Sequence, residues 1–324
     1  MARLWRQYWF LLALAAVLTL GLATGLGAPT VATLYVELVP LSAATALVLF
    51  LMAFSLDSHR LRDSLRRPAG AVLGSVVNLG VLPILAAACA RGLALPDLAL
   101  GLILTGISPS TLATGSVFTR RAGGNDAISP LVTLLTNTAC VVVTPLWLTL
   151  LVSRAAQMDT TAIVRQLAVC VLLPTVLGQL FLWPRIGRAL ADRHRARIGS
   201  VSQLIVLAIV SGAAVKAGIE LQRHGAWPSA VDGAVMAGMC LLVHVAGLES
   251  GWYGGALLRL PPEDRIATAI TGSQKSLPVS LLIATNPSVV TEDAPFVLFP
   301  LLAYHATQLL LDTIVADTWR RRRT

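Results

Sequence analysis

Apolar runs of about twenty residues follow one another along almost the whole of this sequence, separated by short stretches rich in Gly, Pro, Arg and Asp. A helix of that length matches the hydrocarbon core of a bilayer, roughly 30 Å at about 1.5 Å per residue. Inside lipid every backbone N–H and C=O must find its partner internally, so such runs must be helices. The pattern predicts spans over 8–26, 38–56, 70–90, 97–119, 127–152, 162–183, 200–219, 231–256, 266–286 and 294–315. The first run, Tyr8 to Leu26, is too long for a signal-peptide core and has no small-residue cleavage site, so it is expected to remain as a span. No room is left for a soluble domain of ordinary size.

Charge supports this reading by its position. Charged residues make up 13% of the 324, against about 25% in a soluble domain. The formal net charge of +9 is spread over short blocks between the runs, so the chain is not expected to bind nucleic acid. With the N-terminus in the cytoplasm, 19 arginines fall on the inner side: Arg3 and Arg6, Arg60 to Arg67, Arg120 and Arg121, Arg185 to Arg197, Arg259 and Arg265, and Arg320 to Arg323. Only Arg91, Arg154, Arg165 and Arg223 fall outside. The positive-inside rule then predicts an even number of spans with both termini cytoplasmic. The four cysteines lie inside apolar runs with no metal-type spacing and read as small buried hydrophobes. There is no paired-carboxylate, Ser-His-Asp or phosphate-loop pattern, so no enzyme is expected. An Arg- and Ala-rich chain with no targeting segment suits a multi-pass protein of a bacterial inner membrane.

Two of the runs are broken. The fourth carries Pro109 among Ser108, Ser110, Thr111, Thr114, Gly115 and Ser116. The ninth has Gly272 and Pro278 bracketing a polar stretch from Thr271 to Ser276, with Ser273, Gln274 and Lys275 inside it. Proline removes a donor and clashes with the preceding turn. The fourth and ninth runs hold the same place in two successive sets of five. An odd set size makes the halves, 1–155 and 156–324, opposite in orientation. Interrupted helices at matching places of inverted repeats mark a transport site, because their ends leave backbone groups free at mid-membrane.

Lys275 is the sharpest single residue. A lysine near the bilayer centre costs roughly 2.5–3.5 kcal/mol on insertion scales and usually faces a pathway. It could bind an anionic substrate, hold the place of a coupling cation, or titrate in proton coupling. Asn78 in the third run, and Ser129, Thr133 and Thr136 on one helical face of the fifth, could join the site or serve as interhelical glue. His244, Glu249, Asp312 and His305 are further ionisable candidates.

These residues resemble a known family. Phe54-Ser-Leu-Asp57, Arg66-Arg67-Pro68, Asn78 with Pro83, Gly101 through Pro109, Gly123-Gly124-Asn125-Asp126-Ala127 and Thr144-Pro145-Leu146 are similar to the bile acid:sodium symporter fold over nearly the whole chain. Thr119-Arg120 and Gly272-Ser-Gln-Lys-Ser-Leu277 resemble its sodium/bile acid cotransporter 7-like (SBF-like) branch. The resemblance implies ten helices, with helices 1, 2, 6 and 7 as a panel domain and helices 3–5 and 8–10 as a core domain. In the core, helices 4 and 9 cross at their unwound centres. Carried over, the family's sodium ligands fall on Thr114, Ser129, Thr133 and Gln274, with Asn78 a shorter amide. Gly115 offers no side chain where the family has Asn. The family's Glu becomes Ile270 and its Asn becomes Lys275. Losing an acid and gaining a base leaves at most a weak sodium site, because hard cations need anionic or carbonyl oxygens.

The expectation is a secondary carrier for a small organic anion or amphipathic acid, a monomer or homodimer in the bilayer, using Asn78, Thr111, Thr114, Ser129, Thr133, Thr271, Ser273, Gln274 and Lys275. The alternative is a non-transporting or regulatory membrane protein of the same fold. An arsenite-type carrier is disfavoured, since neither break contains a cysteine.

Overall fold

The computed structural model describes residues 2–38, 40–56, 61, 64–66, 68–111, 114–152, 158–225, 227–290 and 294–321, with main chain only over 2–8. Asp57, Arg60, Arg62, Arg67, Arg154, Arg322, Arg323 and the junction of the halves at 155/156 lie outside the described residues. Among the described residues all regular structure is helical.

In chain order the helices are α1 (Ala2–Gly27), α2 (Pro29–Leu38), α3 (Leu41–Phe54), α4 (Ala69–Ala90), α5 (Pro96–Ile107), α6 (Gly115–Arg121) and α7 (Ile128–Leu151). They continue with α8 (Thr160–Leu180), α9 (Arg185–His224), α10 (Ala230–Leu257), α11 (Pro262–Ser273), α12 (Leu277–Ala284) and α13 (Leu298–Arg321). Seven of these are long and apolar enough to cross a membrane, and eight if α2 and α3, bent by 46° at their junction, count as one crossing. The fourth and ninth runs are broken as expected. Each becomes a 12-residue helix, α5 or α11, followed by a shorter one, α6 or α12.

One expectation needs correcting. The arginines from Arg185 to Arg197 do not lie in a connecting loop but form the start of the 40-residue α9. At about 60 Å that helix is twice the bilayer thickness, so its basic end projects beyond the hydrocarbon.

Prolines explain the irregular turns. A wide π-type turn at Val77–Val81 precedes Pro83, and another at Ala168–Leu172 precedes Pro174. Pro83 has no N–H for the carbonyl of Leu79, and the Trp147 indole donates to that oxygen instead at 2.7 Å.

Packing divides the helices into two groups. α1 lies along α9, and α3 packs on α8 and α9. The α1–α9 crossing is close because it is built from glycine: a Cβ on Gly25 would meet the Val215 carbonyl at 2.3 Å, and one on Gly218 the Leu22 carbonyl at 2.6 Å. In the second group α10 lies along α11, α4 along α5, and α13 against both α5 and α10. The two groups meet where α3 and α9 face α12 and α13, and where α8 packs along α7.

Candidate functional site

The two breaks meet each other. The Ser276 N–H donates to the Pro109 carbonyl at 2.8 Å, the Ser110 hydroxyl to the Thr271 carbonyl at 2.7 Å, and the Ser280 hydroxyl to the Ser108 hydroxyl at 2.8 Å. Gly115 allows the approach, since a Cβ there would stand 2.9 Å from Cγ2 of Thr271. Ile270, on the position of the family's acid, is wholly buried among apolar side chains.

A helix end leaves its last four carbonyls unbonded, so their partners can be accounted for one by one. At the end of α5 the Leu104 carbonyl accepts from the Ser108 hydroxyl (2.8 Å), Thr105 from the Ser108 N–H (3.2 Å), Gly106 from Lys275 Nζ (2.6 Å) and Ile107 from the Thr144 hydroxyl (2.9 Å). At the end of α11, Ile270 accepts from the Gln274 N–H (3.2 Å), Thr271 from Ser110, Gly272 from Asn78 Nδ2 (3.1 Å) and Ser273 from the Tyr304 hydroxyl (2.9 Å). Every terminal carbonyl is satisfied, most of them from elsewhere in the chain.

Lys275 is 2% exposed. Its Nζ donates to the carbonyls of Asn78 (2.7 Å), Gly106 (2.6 Å) and Ser108 (2.8 Å). Three acceptors match the three N–H bonds of an ammonium, whereas a neutral amine has two. The charge also sits at the negative end of the α5 dipole. Its backbone is held by Gln308, which accepts from the Lys275 N–H at 2.9 Å and donates to its carbonyl at 3.1 Å.

Asn78 faces the α11 break, giving Nδ2 to both Gly272 and the Gln274 carbonyl (2.8 Å). Gln274 accepts from the Thr114 hydroxyl at 3.0 Å and donates Nε2 to Asp312 Oδ2 at 2.6 Å. Asp312 Oδ1 lies 3.0 Å from His244 Nε2, and both residues are fully buried. Thr111 is buried at the break. The hydroxyls of Thr271 and Ser273 bond back into their own helix, and only their carbonyls join the crossing. Ser129 donates to the Thr119 hydroxyl, and Thr133 bonds back to Ser129 and Pro130. The four expected sodium positions therefore fall into a bonded Thr114–Gln274 pair and two hydroxyls bonded elsewhere.

Several residues here carry little signal in the sequence. Asn137 mirrors Asn78, donating to the Ser110 carbonyl at 3.0 Å. Gln308, Tyr304, His244 and Asp312 pack around the α11 break, and only the cost of a polar group in an apolar run pointed to them. Among the described residues no cluster of three His, Cys, Asp or Glu could hold a metal ion.

Three cavities follow the seam between the helix groups. One is lined by Ser116, Arg120, Asp126, Arg195, Gln203 and Met52 among others. The middle one shares Met52 and brings Thr111, Thr114, Ser276 and His305 opposite Phe10 and Val206. The third is lined by Pro40, Ile209, Gly212, Lys216, Leu281 and Thr285. From Arg195 to Lys216 along α9 is about 30 Å, the depth of a bilayer core. His305 is buried, its Nδ1 lies 3.1 Å from Gln308 Nε2, and its Nε2 has no partner.

Residues 8–321 match the model of the SBF-like CPA transporter family. The chain is 25% identical to the probable sodium/metabolite cotransporter BASS4, chloroplastic, of Arabidopsis thaliana, over 70% of its own length and 53% of that protein's, so it spans about half of that relative. It is 25% identical to the uncharacterized sodium-dependent transporter YocS of Bacillus subtilis (85% of this chain, 81% of the relative). With sodium/bile acid cotransporter 7 of Danio rerio it shares 23% identity over 97% of this chain and 95% of the relative. These relatives are transporters by name and not enzymes, in line with the expectation drawn from the missing catalytic motifs. A multi-pass helical membrane protein with crossed helix breaks, matched over nearly its full length, this chain belongs to the SBF-like CPA transporter family.

Proposed function

We propose that this chain is a secondary active carrier of a small organic anion with an apolar body, working by alternating access across the seam between its two helix groups. The meeting of two helix breaks midway along a seam with cavities toward both ends carries the reading. The bent α2–α3 pair and the two broken runs raise the crossings to ten. α5 and α11 have matching designs: 12 residues, proline at the start, acid in the first turn, and an extended cap at Ser108 (φ −75°, ψ 153°) or Gln274 (φ −73°, ψ 144°). That likeness favours inverted repeats. The α1–α3, α8 and α9 group is the panel and the remainder the core.

Cations near both ends of the seam suit an anionic solute: Lys216 at one end, and at the other Arg120 and Arg195, which also pair with Asp126 and Asp192. The middle cavity, at about 10 Å³, has room for about one water, so the solute passes only as the two helix groups part. Sodium is not the coupling ion in this reading. A sodium ion would need the carbonyls that the Lys275 ammonium already occupies, and Ile270 supplies no acid. With both termini cytoplasmic in a bacterial inner membrane, the Arg195 cavity faces inward.

The test is uptake of labelled cholate into proteoliposomes with and without an inward sodium gradient. Equal uptake is expected. A strong sodium requirement in the unmutated protein defeats the coupling claim, and absence of uptake of any monocarboxylate defeats the carrier.

A further inference from the structure

Gln166 of α8 ties the two helix groups together near one end of the seam. Its Nε2 donates to the Leu282 carbonyl of α12 at 3.1 Å, and its Oε1 accepts from Asn286 Nδ2 at 2.8 Å. Asn286 is 8% exposed, and its Oδ1 accepts from the Ser288 N–H at 3.0 Å and the Ser288 hydroxyl at 2.7 Å. The direction of this chain of bonds is fixed from both ends. A backbone carbonyl can only accept and a backbone N–H can only donate, so neither amide can be turned round without losing a bond. The donor side and the acceptor side of the Gln166 amide are both spent on the opposite helix group.

The tie lies at the end of the seam away from Arg195. Leu281 and Thr285, adjoining its partners in the chain, line the third cavity with Lys216. That cavity is about 210 Å³, against about 320 Å³ at the Arg195 end. α8 also packs along α7, and Ile163 and Leu167 of α8 share one apolar core with Leu148 of α7. Apolar contacts are non-directional and tolerate a slide between packed helices. The amide bonds do not, because a hydrogen bond weakens steeply off line and is lost beyond about 3.5 Å. A parting of the two groups at this end must therefore break them. We propose that Gln166 and Asn286 form a latch that holds the seam together at its Lys216 end and biases the carrier toward the state open at Arg195. The proposal rests on the carrier reading above and adds what stabilises one of its two states.

α9 carries a place for a reporter at each end. Gly212 lines the third cavity and Gly199 the Arg195 cavity, and a Cβ on either would meet nothing within 4 Å. A cysteine therefore fits at both positions. The native thiols compete little, since Cys140, Cys170 and Cys240 are buried and Cys89 is half-buried. Removing a contact made in only one of two states shifts the population toward the other. The net worth of two neutral hydrogen bonds corresponds to about a tenfold shift in that balance. A latch thus predicts faster access at one end alone, whereas general loosening would quicken both.

The test follows maleimide labelling of Gly212→Cys and, separately, Gly199→Cys in purified protein in mild detergent, with no solute added. Adding Gln166→Ala should quicken labelling at 212 about tenfold and should not quicken it at 199. Asn286→Ala should do the same and keeps the test open if the first variant does not fold. In a second arm, Gln166→Cys and Asn286→Cys are bridged by a short bifunctional methanethiosulfonate in proteoliposomes. Bridging should stop cholate uptake, and reductant should restore it. Unchanged labelling at 212 in a folded variant, equal acceleration at both ends, or uptake that persists through the bridge overturns the latch and leaves the carrier reading standing. Acceleration at 212 alone, with no uptake of cholate or any other monocarboxylate by the unmutated protein, upholds the latch and removes the carrier reading instead.

Discussion

Lys275 Nζ donates to the Gly106 carbonyl across 2.6 Å, joining the break after α11 to the last turn of α5, 169 positions earlier in the chain. An ammonium in this place does for the exposed helix end what a bound cation would do. Lys275→Ala should leave the carbonyls of Asn78, Gly106 and Ser108 bare and cost about 3 kcal/mol or more, at about 1–3 kcal/mol per unpaired buried group. Added sodium should restore part of the lost Tm in this variant. The unmutated protein should show no difference between sodium and choline chloride in the same thermal-shift assay.

Asn78 and Asn137 each donate to backbone at a break, Asn78 at α11 and Asn137 at α5. Asn78→Leu strands two carbonyl groups and should lower stability by about 2 kcal/mol or more. Asn137→Leu should cost about 1–3 kcal/mol. Denaturation in mild detergent followed by tryptophan fluorescence measures both. Losses no larger than for a lipid-facing position such as Val142, which is 72% exposed, would remove their clamping role.

Gly115 permits the crossing because any Cβ there would press on Thr271 at 2.9 Å. Gly115→Leu should destabilise by about 1–3 kcal/mol through overpacking and reduce cholate uptake. Gly115→Ala should be milder, since a methyl needs only a small shift of the threonine. Equal behaviour of the two variants in uptake and Tm would count against a tight crossing.

His305 should donate to the solute. Gln308 Nε2 faces its Nδ1, so that nitrogen accepts, and the neutral ring then carries its hydrogen on the unpartnered Nε2 beside the middle cavity. His305→Phe keeps the ring and removes the donor. It should weaken cholate binding about tenfold, or roughly 1.4 kcal/mol, as read by calorimetry.

Lys216 and Arg195 lie in cavities toward opposite ends of the seam. Reversing either charge, Lys216→Glu or Arg195→Glu, should raise KM several-fold in the uptake direction that enters at that end and leave kcat close to its original value, because these groups concentrate the anion without touching the crossing. High salt should shrink the difference.

Some of this was legible along the chain. Run length, the prolines at 109 and 278 and the polar residues around them are local properties; Pro83, Pro145 and Pro174 sit inside continuous helices, so it is the small polar residues clustered at Pro109 and Pro278 that make both interruptions legible. Lys275 could be singled out because a charge in an apolar run is costly anywhere in a membrane. Its partners could not be read that way. They are carbonyls 197, 169 and 167 positions distant, and any residue type carries a carbonyl. His244 and Asp312 carry little signal one at a time, since neither residue type announces a partner 68 positions away. The basic start of α9 reads as a connection between runs because its arginines give no apolar signal, although it is helical from Arg185. Which buried polar groups share a charge, and which carbonyls remain for an ion, depends on the folded arrangement, because hydrogen bonds act over about 3 Å while sequence records only order.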